Sequence, residues 1–247
     1  YSNDLPNTFR QLALSLGEEV TVTSSTPGGY QFEQHAAYAP TQSAVASQPW
    51  DFVVLQEQSQ LGALPFAGTQ TDEGAAALVD LIEANNECTW PVFFMTWGRQ
   101  NGDDLNCPNY PYMCTYEGMQ QGLRDNYVEL AEDLGGYAAP VGWAWKAVRE
   151  TAPGIALYAS DGSHPSVAGS YLAACVFHCT LFQTSVIGAS YIAGLDPNTA
   201  TTLQTIATNT VLGASTTWNM DVANGTDANY TSVEYDGPNT ITYQHVG

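Results

Sequence analysis

Two apolar runs decide what kind of sheet this chain can build. Trp50-Asp51-Phe52-Val53-Val54-Leu55-Gln56 and Pro91-Val92-Phe93-Phe94-Met95-Thr96 are almost continuously hydrophobic, without the in–out alternation of a strand that faces water on one side. Strands of this kind are covered on both faces, as in a parallel sheet held between helices. The flanking segments agree. Leu5, Phe9, Leu12 and Leu16 share one helical face, with Asn3 or Asp4 to cap its start and Gly17 to end it. Glu73 to Asn86 reads as another helix, and Tyr116, Met119, Leu123, Tyr127, Leu130 and Leu134 form a long stripe that stops at Gly135-Gly136. Val20-Thr21-Val22-Thr23 alternates as a short strand, and Ile155-Ala156-Leu157-Tyr158 is expected to be a further one. Pro165 opens a mostly apolar helix through Phe182, and Asp196-Pro197 caps one to about Leu212.

Strands alternating with helices give an α/β fold made of parallel βαβ units, expected to span residues 1–212. Beyond Gly213 the chain turns to Thr, Asn and Asp, with weak alternation in Ser232 to Tyr235 and Thr240 to His245. Residues 213–247 are therefore expected to form a β-rich C-terminal appendage or an edge hairpin. A length of 247 residues with 44% hydrophobic content supports one large core.

Charge narrows the partners. Five Lys and Arg stand against 25 Asp and Glu, a formal net charge of −20, and Lys146 is the single lysine. Nucleic acid needs clustered cations to displace counterions from phosphates, so it is not expected as a partner. An anionic membrane surface is disfavoured for the same reason. The longest apolar run, Val167 to Leu181, falls short of the roughly 20 residues of a membrane span and is broken by Gly169, Ser170, His178 and Thr180. Cys107 and Cys114 bracket a Pro- and Tyr-rich loop that a disulfide can close, whereas Cys175 and Cys179 read as buried thiols of an apolar helix. No further Cys or His stands at zinc-ligand spacing, and neither a metal nor another cofactor is expected. Two Asn-x-Thr sequons, Asn224 and Asn229, together with the scarcity of lysine, lean towards an exported protein, extracellular or periplasmic.

Three segments carry candidate chemistry. Asp161-Gly162-Ser163-His164-Pro165 offers an imidazole with a carboxylate three residues away, the pairing an acyl-transfer base requires; the plainer alternative is a turn-capping Asp beside a surface His. Thr96-Trp97-Gly98-Arg99-Gln100-Asn101-Gly102-Asp103-Asp104 gathers a cation, amides and carboxylates. There Arg99 either clamps a substrate carboxylate or sugar hydroxyl or makes a structural ion pair, an Asx turn being the other plain reading, and calcium at Asp103 and Asp104 has no regular ligand series behind it. Gln56-Glu57-Gln58-Ser59-Gln60 places amides directly after a buried strand, where they serve either a developing oxyanion or the strand's own terminal groups. Gly28-Gly29 provides a backbone N–H at close approach, or simply a turn.

These segments together resemble the SGNH (GDSL-like) hydrolases. Asp161-Gly162-Ser163-His164 with Pro165-Ser166-Val167-Ala168-Gly169 looks like their last block. Gln56-Glu57-Gln58-Ser59 and Thr96-Trp97-Gly98-Arg99 look like a subgroup in which Gln-Glu-Gln-Ser replaces the usual third block. Ser2-Asn3-Asp4-Leu5-Pro6 resembles the segment that follows the nucleophile block. The likeness covers roughly residues 1–190. It implies a three-layer α/β/α sandwich of flavodoxin-like, SGNH type and a Ser-His-Asp esterase. In that scheme His164 is the general base and Asp161 its orienting acid, Gly29 lends a backbone N–H to the oxyanion hole, and Gln56 or Gln58 stands where the asparagine donor usually sits. Trp97, Arg99 and Asn101 are the expected substrate contacts. The register puts the family's serine and first, central strand ahead of Tyr1, with Ser2 as the candidate nucleophile of a compressed block. Either residues precede Tyr1, or the segment around Thr240 to His245 takes that strand's place. The expected activity is hydrolysis of small acyl esters, such as acetyl groups on carbohydrate. A non-catalytic binding or structural module on the same scaffold, without the nucleophile, is the alternative.

Overall fold

A computed structural model describes residues 2–66, 69–220 and 240–246. Its centre is a five-stranded sheet, β1 Glu19–Ser25, β2 Phe52–Leu55, β3 Trp90–Phe94, β4 Tyr137–Ala139 and β5 Thr240–Val246. The strands run parallel in the order β1-β5-β2-β3-β4. The helices are α1 Leu5–Ser15, α2 Phe32–Ala37, α3 Ala39–Val45, α4 Gln70–Asn85, α5 Tyr116–Asp133, α6 Val141–Thr151, α7 Val167–Phe182 and α8 Pro197–Leu212. Helices α1, α6 and α8 gather around α7, whereas α2, α3 and α4 pack together as a second group, giving an α/β/α arrangement. Val53, Val54 and Leu55 of β2 and Val92, Phe93 and Phe94 of β3 are fully buried, as continuous apolar strands should be when both faces are covered. Helix α7 is buried all round from Ala168 to Leu181, which fits its lack of a polar face.

Three expectations need correction. Ile155–Tyr158 forms no strand; its sheet-like feature is an isolated bridge between Tyr158 and Pro165, and the strand beside β3 is β4. β4, α2, α3 and α6 are absent from the sequence reading; β4, three residues of Tyr and Ala, is too short to show a period, and α2 and α3 are each under two turns. In the C-terminal segment, the alternative in which the stretch around Thr240 to His245 takes a strand's place in the sheet is the one observed, rather than an appendage. β5 pairs along its whole length with β1 and also with β2, filling the place between two strands that do not pair with each other. Trp218 and Met220 are buried as well, so residues 213–220 continue the core. Ser232 to Tyr235 and the sequons at Asn224 and Asn229 lie outside the described residues.

The remaining boundaries agree within a few residues. Asp4 caps α1 by accepting the Asn7 N–H at 3.4 Å, and Asp196 caps α8 by accepting the Asn198 and Thr199 N–H groups. Cys107 and Cys114 form the disulfide that their spacing allows, and Cys175 and Cys179 are buried thiols. No helix of the described residues is long and apolar enough to cross a membrane.

Candidate active site

Parallel strands bring their C-terminal ends to one rim, so the segments after β1, β2 and β3 meet there. The loop before α7 joins them. Asp161 builds it: Oδ1 accepts the backbone N–H groups of Ser163 and His164, each at 2.9 Å, and Oδ2 takes His164 Nδ1 at 2.6 Å. Gly162 makes the tight turn between them possible, with φ at +67°. The imidazole bond, followed by the two backbone N–H groups, draws the Asp161 carboxyl down to about pH 2. A carboxylate ionised over the whole neutral range only accepts, so Nδ1 carries the proton and Nε2 of the neutral ring is the acceptor. The His164 side chain is 69% exposed, which leaves that nitrogen open to the rim.

The turn is braced from several sides. Trp97 Nε1 donates to Ser163 O at 2.9 Å, Gln100 N to Gly162 O at 2.8 Å, and Ala159 N to His164 O at 2.8 Å. Asn3 Nδ2 donates to Pro165 O at 3.0 Å and to Ser170 Oγ at 2.9 Å, so the chain just before α1 docks against the histidine loop. The Ser2 side chain itself lies outside the described residues.

The other candidates divide into those that face the opening and those already engaged. Gly29 is exposed at φ +76°, with nothing within 4 Å of where a side chain would begin. Gln56 is half-buried, and its Oε1 is buried without a partner. Gln58 is occupied locally: Oε1 accepts the N–H groups of Gln60 and Leu61, and Nε2 donates to Gln60 Oε1. Trp97 is buried and stacked on Trp145 at 4.1 Å, which places it beneath the histidine turn rather than at the mouth. Arg99 is partly exposed and stands 3.8 Å from Asp103, a long ion pair that leaves the guanidinium room to turn outward. Asn101 is exposed next to it.

Asp103 holds this region together and is no open calcium ligand. Its buried carboxylate takes two contacts from Gln60 Nε2, at 3.0 and 2.9 Å, one from Asn106 Nδ2 at 2.7 Å and the Leu105 N–H at 3.1 Å. Burial alone would raise its pKa; the amides of Gln60 and Asn106, the Leu105 N–H and Arg99 outweigh that and hold it below the usual range. The loops after β2 and β3 are thereby one unit. No group of three or more His, Cys, Asp and Glu among the described residues is arranged to hold a metal. His35 and His178 are core residues: His35 Nδ1 meets Thr41 Oγ1 at 3.1 Å, and His178 stacks on Phe182.

The sequence alone did not single out Asn3, Glu57 or Gln100. Asn3 and Gln100 act through contacts with a loop more than 60 positions away. Glu57 had one local signal, a carboxylate set directly against an apolar strand.

No protein-family model matches the chain, and no curated protein matches it. Among solved structures, it is similar to a DUF4886 family protein from Bacteroides uniformis, with a TM-score of 0.67, 20% identity, and 83% of this chain and 88% of that one covered. It is also similar to a protein from Slackia heliotrinireducens described as "a putative SGNH hydrolase", at 32% identity and a TM-score of 0.55, over 71% of this chain and 90% of that one. The first likeness carries the fold. The second, with its higher identity over most of the shorter chain, carries more: this chain belongs to the SGNH hydrolase family.

Proposed function

We propose that the protein is a carboxylic ester hydrolase that removes small acyl groups, with acetyl esters of carbohydrates as the substrate class, and that it belongs to the subgroup marked by Gln56-Glu57-Gln58-Ser59. The observation that carries this reading is the His164–Asp161 pair, 2.6 Å apart, on a braced turn with the ring open to solvent. Nε2 takes the proton of an attacking serine hydroxyl, and Asp161 stabilises the imidazolium that results. The tetrahedral oxyanion faces the Gly29 N–H and the Gln56 amide, whose NH₂ is the natural donor when its oxygen is turned inward. The acyl-enzyme is then hydrolysed by water through the same base. The serine belongs to the segment that Asn3 docks beside Pro165, with Ser2 as the candidate within this chain.

Arg99 and Asn101, at the outer edge of the loop after β3, suit the hydroxyl groups of a sugar. A net charge of −20 disfavours polyanionic substrates during encounter. The Cys107–Cys114 disulfide and the scarcity of lysine favour an oxidising, exported location. The test is a fluorophosphonate probe on the full-length protein, with the adduct mapped by mass spectrometry beside turnover of a p-nitrophenyl acetate. A labelled serine near the N-terminus and turnover that needs His164 support the reading. No adduct and no turnover remove it in favour of a binding module.

A further inference from the structure

One carboxylate at the rim takes no part in the scheme above. Glu57 lies two residues beyond the end of β2 and is fully buried. Its Oε2 accepts the Phe32 N–H at 3.2 Å and its Oε1 the Gln58 N–H at 2.5 Å, while its own N–H donates to the Tyr127 hydroxyl at 3.2 Å. No cation pairs with it among the described residues. Burying an unpaired carboxylate costs several kcal/mol, and an apolar or amide side chain of similar size fills the space at less cost. Position explains what the charge achieves. Phe32 opens α2 three residues after Gly29, and Gln56 and Gln58 flank Glu57 itself. One side chain therefore ties together the two segments that hold the proposed oxyanion donors. The near side of the Gly28-Gly29 turn is pinned separately, by Ser25 Oγ on Thr41 Oγ1 at 2.8 Å and by Thr41 on His35.

We propose that Glu57 is a positioning residue, whose carboxylate clamps the start of α2 to the end of β2 so that the Gly29 N–H and the Gln56 amide converge on one point. The inference rests on the ester-hydrolase reading for its consequence, though not for its geometry. Each carboxylate oxygen receives one N–H, so both are needed. An amide presents NH₂ to one of those donors and opens the clamp on that side with no change of volume. Burial pushes the Glu57 carboxyl up to about 7, with the Gln58 and Phe32 N–H groups drawing it partly back. The clamp thus gains its charge in the neutral range. The groups on the carboxylate are the Phe32 and Gln58 amides, while the Tyr127 hydroxyl of α5 accepts the backbone N–H of Glu57. His35, on the same helix as Phe32, is held neutral there by burial, at about 4.

Nitrogen-15 NMR of the intact protein between about pH 5 and 9 reads this directly, since a carboxylate that accepts two amides moves both resonances when it titrates. The Phe32 and Gln58 amides should shift together with one midpoint near 7, and Glu57→Gln should abolish the shift. On a short acyl ester, Glu57→Gln should lower kcat by about 100-fold, with KM changed less than about threefold. Amides that do not titrate in the wild type, or a variant with wild-type kcat, overturn the proposal. Wild-type protein without ester turnover sinks the hydrolase reading instead, while the amide titration still decides whether Glu57 is the clamp.

Discussion

Two carboxylates at the same rim of the sheet accept the same kind of donors and respond in opposite directions. Asp161 takes two backbone N–H groups and an imidazole in the open, and its carboxyl falls to about 2. Glu57 takes two backbone N–H groups in a sealed pocket, and its carboxyl rises to about 7. Hydrogen bonds favour the charged form in both cases. What differs is the imidazole, the largest influence on Asp161 and absent at Glu57, and water: around Asp161 it still solvates the charge, whereas around Glu57 it has been removed, and desolvation outweighs two amides. The exposed pair can therefore carry chemistry with little bearing on stability. The buried one fixes geometry and stores a cost in the fold, which is where functional sites commonly depart from the most stable choice.

The largest expected effect separates these two roles. His164→Ala should lower kcat/KM on a short acyl ester by about 10⁴-fold, and Asp161→Asn by a similar factor through loss of the correct tautomer. Both side chains are about half or more exposed, so urea midpoints should stay at the wild-type value. A midpoint that falls along with activity would show that the turn is a structural brace and undo the contrast with Glu57.

Stability against pH probes the other side. Glu57 has a folded-state pKa above its ordinary 4.5, so its contribution is full below that value and is lost as pH rises through about 7. Relative to wild type, Glu57→Gln should gain up to about 3 kcal/mol between pH 5 and 8, measured by urea unfolding at each pH. His35 and His178 slope the other way. Burial lowers both to about 4, so their contribution is present above 6.5 and lost as pH falls towards 4. His178→Phe should flatten that acid side and leave the Glu57 slope intact. A wild-type curve without either slope would mean that water reaches both pockets.

How far the sequence was legible follows the same division. The turn from Asp161 to Pro165 is contiguous, so the spacing of carboxylate and imidazole shows in the residue order, and His164 pairs with Asp161 as that spacing implied. β2, β3 and the helices around them were legible because unbroken apolar runs and helical stripes are local patterns. The place of β5 was legible only as one of two alternatives, since a strand of mixed polarity becomes central only through pairing with partners some 190 to 220 positions away. The expected strand at Ile155–Tyr158 failed in reverse: a local pattern was present, but the segment's one sheet-like contact is the bridge from Tyr158 to Pro165. Trp97 reads as a substrate contact because it is an aromatic near the expected mouth, yet its indole N–H donates to Ser163 O. Asp103 and Gln60, 43 positions apart, likewise gave no local sign of their bond.

That bond is the next test, because Asp103 is a buried carboxylate with the donors Glu57 lacks. Asp103→Ala leaves Gln60, Asn106 and the Leu105 N–H without an acceptor and should cost about 2–4 kcal/mol in urea unfolding. It should also raise KM by loosening Arg99 and Asn101. If stability falls while KM holds, the loop after β3 does not touch substrate.

The smallest effect concerns the Asn3 side chain, which ties the N-terminal segment to the histidine turn. Asn3 sits at φ +55°, in the left-handed region that asparagine tolerates better than most residues, and donates to both Pro165 O and Ser170 Oγ. It is exposed, so losing those bonds should cost only about 1 kcal/mol, part of it backbone strain in an alanine. Asn3→Gly removes the bonds without the strain and should lie between wild type and Asn3→Ala in urea unfolding. Activity discriminates further. If the segment delivers the hydroxyl to His164, both variants should lose kcat in proportion to the lost bonds, and glycine should recover stability without recovering rate. Equal rates in all three proteins would place the nucleophile somewhere that Asn3 does not control.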